Sequence, residues 1–256
     1  LIYDSLRLEN LGSVLFEEQK DKNGNSFCCY CMRRLFLNDT EDKHKKNITY
    51  EHIVPHKIKY NEWQSDKAHY LKFSNLNKKH IAVCFEGKLT DAQKKVKITG
   101  MPYPHFVSYH NLVASCNGAT FEDKTLVNSH CCNNNRQERF VMPIYLSPDL
   151  VNGISYTSKG ELDYDDSVYD CSWFDKKHLN LTNSWITLVR RIWCKISKSG
   201  YTDIDVEMAR NDKNLRQNII DDVDSNNEIS SWADNDIAWN LFSEYNWFYN
   251  YYKSRP

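Results

Sequence analysis

Glu51-His52-Ile53-Val54-Pro55 decides what this chain can be. The β-branched and aromatic residues Ile48-Thr49-Tyr50 lead into it and Pro55 closes it. The spacing therefore predicts a strand over 48–54 that carries an acid and an imidazole and is ended by Pro55. Upstream stands Cys28-Cys29-Tyr30-Cys31. Downstream stand Asn111-Leu112, Cys116 and then His130-Cys131-Cys132-Asn133-Asn134-Asn135-Arg136. Thiols thus bracket the Glu-His strand on both sides, which scattered cysteines seldom do.

Cys28 and Cys31 form a Cys-x-x-Cys pair, which lets two thiolates meet one Zn²⁺ from a tight turn. A tetrahedron needs two more ligands, and Cys116 with Cys131 or Cys132 can supply them; His130 is a third candidate for the last position. Such a closed site is structural and adds folding energy where little apolar core is shared. Nine cysteines in a chain that opens without the basic and apolar regions of a signal peptide point to metal rather than disulfides. Cys84, Cys171 and Cys194 stand apart and are expected as small buried hydrophobes.

Taken together, the clusters resemble the HNH, or ββα-metal, nucleases. Phosphodiester hydrolysis needs a deprotonated water, charge relief in the transition state and a departing alkoxide, which one imidazole and one hard cation can provide. Glu51-His52-Ile53-Val54-Pro55 is similar to the family's acid-His-Ile-x-Pro signature. The resemblance implies His52 as general base and Glu51 as a ligand of the catalytic cation. It implies Asn111 as the residue orienting the His52 ring, and Asn133 as a further cation ligand with Asn134 its competitor. Arg136 and His56 are the implied phosphate contacts. An oxygen-ligand site of this kind suits Mg²⁺ or Mn²⁺. Cys132 is the preferred fourth zinc ligand, because Cys132-Asn133 with Arg136 is similar to the Cys-Asn-x-x-Lys/Arg end of zinc-containing members.

Asn111-Leu112-Val113-Ala114-Ser115-Cys116-Asn117-Gly118, His130-Cys131-Cys132, and Leu179-Asn180-Leu181-Thr182-Asn183 with Arg190-Arg191 look like the PtuB-type nucleases of Septu and related retron anti-phage systems. Gln137, where Gly is common, and the doubled Cys131-Cys132 depart from that pattern. The resemblance implies a PtuA-type ATPase as partner and, in retron systems, a reverse transcriptase with its RNA-DNA product. No Gly-x-x-x-x-Gly-Lys-Ser/Thr occurs in the chain, so ATP dependence would have to come from another protein.

The expected fold is α+β, a zinc-stabilised ββα-metal core followed by a mainly helical C-terminal region. Residues 1–24 are expected as an N-terminal helix and 25–147 as the nuclease unit with a Lys-rich insertion over 57–105. Residues 148–256 are expected as helices offering a partner-docking surface. Trp185, Leu188, Val189, Ile192, Trp193 and Ile196 carry the buried stripe of one helix, with Asn180 to Asn183 as caps and Gly200 as its stop. Further helices are predicted over 206–223 and 230–252, and residues 117–128 are read as a loop.

A net charge of -1 conceals an asymmetry. Residues 41–100 hold 13 Lys against 7 Asp and Glu, whereas 161–250 hold 9 Lys and Arg against 17 Asp and Glu. The basic segment suits a polyanion and the acidic one a protein partner. Mean hydropathy of -0.69 and the lack of any long apolar run lead to the expectation of a cytoplasmic protein; beginning on Leu1 rather than Met suggests a trimmed copy. Two function classes remain open at this level: a metal-dependent endonuclease of DNA or RNA, and a zinc-stabilised module that binds nucleic acid or protein without cutting.

Overall fold

The computed structural model describes residues 8–40, 44–55, 59, 61, 63–65, 81–82, 103–104, 111–128, 130–136, 141, 144, 151–167 and 171–255. His56, Cys84, Gln137 and most of the expected insertion lie outside them. The described chain is a mixed α/β protein with small two-stranded sheets and a helical C-terminal half. None of its described helices is long and apolar enough to cross a membrane.

Helix α1 spans Leu8–Glu18 and buries Leu15. Beyond it, Gln19 reaches the free backbone edge of a buried strand: its amide donates to the carbonyls of Phe27 and Ala114, both at 3.0 Å, and accepts from Ala114 N at 2.7 Å. A side chain thereby closes an edge that would otherwise recruit a foreign strand.

The central ribbon pairs β1, Ile48–His52, with Leu112–Cys116 in antiparallel register, Ile48 opposite Cys116 and His52 opposite Leu112. Two short strands lie between them in sequence, β2 (Ile81–Ala82) and β3 (Tyr103–Pro104), so Leu112–Cys116 is β4. Cys116 stands at the end of β4. A second hairpin, β5 (Thr120–Glu122) with β6 (Thr125–Val127), replaces the loop expected over 117–128. Asp123 and Lys124 turn it in the left-handed region, conformations that no glycine announces. Helix α2, Cys132–Arg136, follows.

The C-terminal half opens on a hairpin rather than a helix: β7 (Ile154–Tyr156) pairs with β8 (Leu162–Tyr164) around Gly160 at φ 81°. A short 3-10 turn, Cys171–Phe174, leads to α3, Ser184–Lys198. Asn183 caps α3 by accepting from Ile186 N, as its sequence foretells, and the helix ends just before Gly200. Trp185, Ile186, Val189, Ile192, Trp193 and Ile196 are buried along it, each worth about 1.5–3 kcal/mol in transfer free energy.

The helix expected over 206–223 is two: α4 (Asp203–Met208) and α5 (Lys213–Val223). Asp212 breaks them apart by accepting from Asn214 N and Leu215 N, a cap that outcompetes continuation. Likewise 230–252 divides into a 3-10 turn at Ser230–Trp232, α6 (Asp236–Ser243) and α7 (Trp247–Lys253), with Asn235 capping α6. Trp232, Trp239, Phe242, Tyr245, Phe248 and Tyr252 are buried in the core, and Trp247, Tyr249 and Tyr251 pack half-buried against it.

Candidate metal centre and adjoining polar site

The first pair of thiols sits on a knuckle whose turn is set by its backbone. Cys28 N donates to Arg33 O at 2.8 Å, Met32 N donates to Cys28 O at 3.2 Å, and Met32 takes φ 60°. Cys116 arrives on the end of β4, and Cys132 begins α2 at φ 57°. Gly118 brings these last two together. It accepts from His130 N and Cys131 N, sits at φ 70°, and a Cβ there would stand 2.3 Å from the Cys131 carbonyl. Only glycine permits that approach.

Cys28, Cys31, Cys116 and Cys132 are fully buried and their sulfurs all lie within 4.8 Å of one another. Cys28–Cys132, Cys31–Cys116 and Cys116–Cys132 are separated by 3.8, 3.6 and 3.7 Å. A tetrahedron with Zn–S bonds of about 2.3 Å has edges of about 3.8 Å. The cluster fits a metal such as zinc. Among the described residues it is the sole gathering of three or more His, Cys, Asp or Glu ligand atoms. Cys132 is the fourth member of the group that could hold the ion, with Cys131 touching it at 3.6 Å and His130 instead paired with Glu122 at 3.1 Å.

Protonation is uneven across the cluster. Cys116 is held well below the usual thiol range by sulfur contacts with Cys131, Cys132, Cys28 and Cys31, while burial pushes Cys31 and Cys132 up. A dication bound there would offset the charge of all four sulfurs and draw Cys31 and Cys132 to the thiolate form as well.

Beside the cluster, β1 ends on Glu51 and His52. Glu51 is buried, with Oε1 accepting from Thr49 Oγ1 at 3.2 Å and from Ser115 Oγ at 3.4 Å, and Oε2 lying 4.0 Å from Arg136 Nη2. Burial pushes its carboxyl up to about 7, against the opposing pull of Arg136. His52 is half-buried, and the chain bends away immediately after it.

Asn111 is fully buried and grips the backbone of Val54 from both ends of its amide, accepting from Val54 N at 2.8 Å and donating to Val54 O at 3.0 Å. Its visible work is to fix the bend after His52, a role through the main chain that sequence reasoning assigned to the ring. Asn133 Oδ1 accepts from Arg136 Nε at 3.3 Å. Its competitor Asn134 donates its amide to Asn117 O at 2.9 Å.

Arg136 departs from expectation. It is 1% exposed, and its guanidinium donates to the carbonyls of His52, Ile53 and Val141 and lies over the Tyr30 ring. A guanidinium so engaged is a clamp between α2 and the end of β1, not a surface for phosphate. Burial of the residues around it, which no local pattern reveals, turns the side chain inward.

A second buried network, absent from the sequence reading, ties the knuckle to the helices. Glu244 accepts from Arg33 Nε at 2.6 Å and from Asn47 Nδ2 at 3.2 Å, and its carbonyl accepts from Arg34 N. His44 lies between Glu244 at 3.4 Å and Glu207 at 2.9 Å, with Arg210 against its ring. Cys132 N donates to Leu179 O, and Asn180 donates to His130 O, so the segment before α3 also braces the metal centre.

No family model, curated protein or solved structure significantly matches this chain.

Proposed function

We propose that this protein is a metal-dependent HNH endonuclease that hydrolyses phosphodiester bonds in DNA or RNA. The observation that carries the reading is the four-cysteine cluster, whose Cys116 lies opposite Ile48 at the start of β1 and whose Cys132 opens α2, the helix that carries Arg136 to the Glu51-His52 end of that strand. Zinc at that cluster would hold the scaffold and take no part in bond cleavage.

His52 is the general base on this reading, since its half-buried ring can meet both water and a phosphate. Asn111 positions it by pinning Val54. Glu51 and Asn133 are the proposed ligands of a Mg²⁺ or Mn²⁺ ion, which would supply charge relief in the transition state. As placed, however, Glu51 is engaged by Thr49 and Ser115 and faces a guanidinium, an arrangement that does not fit a cation.

The proposed setting is an anti-phage complex in which a PtuA-type ATPase restrains the nuclease, with a reverse transcriptase and its RNA-DNA product in retron versions. The experiment is incubation of the purified chain, with and without a PtuA-type ATPase, with labelled DNA and total RNA. Cleavage that His52→Ala abolishes, with zinc content and folding kept, supports the reading. Cleavage unchanged by His52→Ala removes the proposed base, and nucleic-acid binding without cleavage in every condition favours the non-catalytic binding module.

A further inference from the structure

Burial of the C-terminal aromatics leaves a different surface unexplained. Among the described residues, Ile204, Met208 and Ile237 are large hydrophobics that remain 67, 59 and 57% exposed. Ile204 and Met208 are one helical turn apart on α4, opposite Val206, which is buried. Ile237 lies in the first turn of α6. The two helices pack side by side, since Trp239 Nε1 donates to Val206 O at 3.1 Å and Arg210 Nε to Asn240 Oδ1 at 3.1 Å. Arg216 clamps the same corner, donating to the carbonyls of Ala209 and Ala233 and to Asp236 at 2.9 Å.

The surroundings are acidic. Residues 201–240 hold 10 Asp and Glu against 3 Lys and Arg, and two of those three cations, Arg210 and Arg216, are buried. Asp234 and Asp236 stand exposed beside Ile237, and Asp203 and Asp205 flank Ile204. A polyanion is repelled here. Ile204 and Met208, an i, i+4 pair, give α4 the ridge spacing that receives another helix, and Ile237 is a further exposed apolar residue on the helix packed against it.

We infer that the α4–α6 face, through Ile204, Met208 and Ile237 within their acidic rim, docks a Lys/Arg-rich amphipathic helix of a partner protein. The inference goes beyond the nuclease reading and does not depend on it. The same helix α4 sends Glu207 to His44, so the docking face adjoins the buried network that holds the metal knuckle.

Two measurements on the full chain test it. In the first, fluorescence anisotropy follows binding of a Leu/Lys amphipathic helical peptide and of its Leu/Glu counterpart with the same apolar face. The Leu/Lys peptide should bind saturably, and Ile204→Ser/Met208→Ser/Ile237→Ser should weaken it at least about tenfold without changing thermal stability. Equal binding of the Leu/Glu peptide, or no weakening in the triple variant, overturns the inference.

In the second, a photo-crosslinking residue replaces exposed Asn211 in the native cell, and the captured segment is sequenced. A basic amphipathic helix lost from the triple variant supports it. Capture of nucleic acid, of a second copy of this chain, or of nothing that the triple variant removes overturns it.

Discussion

Arg136 joins two residues that the sequence holds far apart: its Nη2 donates to the main-chain carbonyl of His52 while its Nε donates to Asn133. The guanidinium therefore sets the distance between the end of β1 and the start of α2. Arg136→Ala leaves the carbonyls of His52 and Ile53 and the Glu51 carboxyl without their buried partner. Denaturant unfolding should show a loss of about 3 kcal/mol or more. A variant of unchanged stability with weakened nucleic-acid binding would restore the phosphate role instead.

Asn111→Ala removes both hydrogen bonds to Val54 and strands a buried N–H and C=O. A destabilisation of about 2–4 kcal/mol follows, measured by urea denaturation. Any cleavage activity should fall more steeply than stability does, because the bend that aims His52 loosens. Equal stability of the variant and the parent would show that water or a neighbouring group replaces the amide.

Thiol substitutions should separate ligand from bystander. Cys28→Ser, Cys116→Ser and Cys132→Ser each remove a ligand and should lower zinc content and thermal stability together, whereas Cys131→Ser should keep one zinc per chain. Metal analysis paired with thermal scans reads both. Zinc retained by Cys132→Ser but lost from Cys131→Ser would move the fourth ligand by one residue.

His44 predicts a pH effect of definite sign. Burial lowers its imidazole, but hydrogen bonds to Glu207 and Glu244 outweigh this and the opposing Arg210, leaving it raised above the ordinary value. A histidine raised on folding contributes stability that is fully present below its unfolded value of about 6.5 and is lost as pH climbs through the folded value. His44→Gln should therefore lose stability relative to the parent mainly at the acidic end, with the difference shrinking as pH rises through the folded value. A difference that grows with pH would contradict the arrangement.

The four-cysteine cluster was legible because its chemistry is written in residue identity. Thiols that bracket one strand have few other uses in a chain of this kind, and Cys28, Cys31, Cys116 and Cys132 meet as the spacing suggested. The α3 stripe and its Asn183 cap were legible for the same local reason, since periodicity and capping act within a turn or two. Hairpins β5–β6 and β7–β8 were not, because their turns rest on left-handed Asp123 and Lys124 or on a single Gly160, too little signal against a polar background.

Sequence alone thus pointed to the cysteines that gather, to a strand beginning at Ile48, and to the amphipathic helix α3. Tertiary structure decided that Arg136 and the C-terminal aromatics face inward, that Asn111 acts on backbone, and that Glu244 and His44 bind the two halves together. Ligand type and helical period are properties of neighbours along the chain. The direction a long polar side chain takes depends on which distant carbonyls and carboxylates are buried beside it, and only folding brings those into reach.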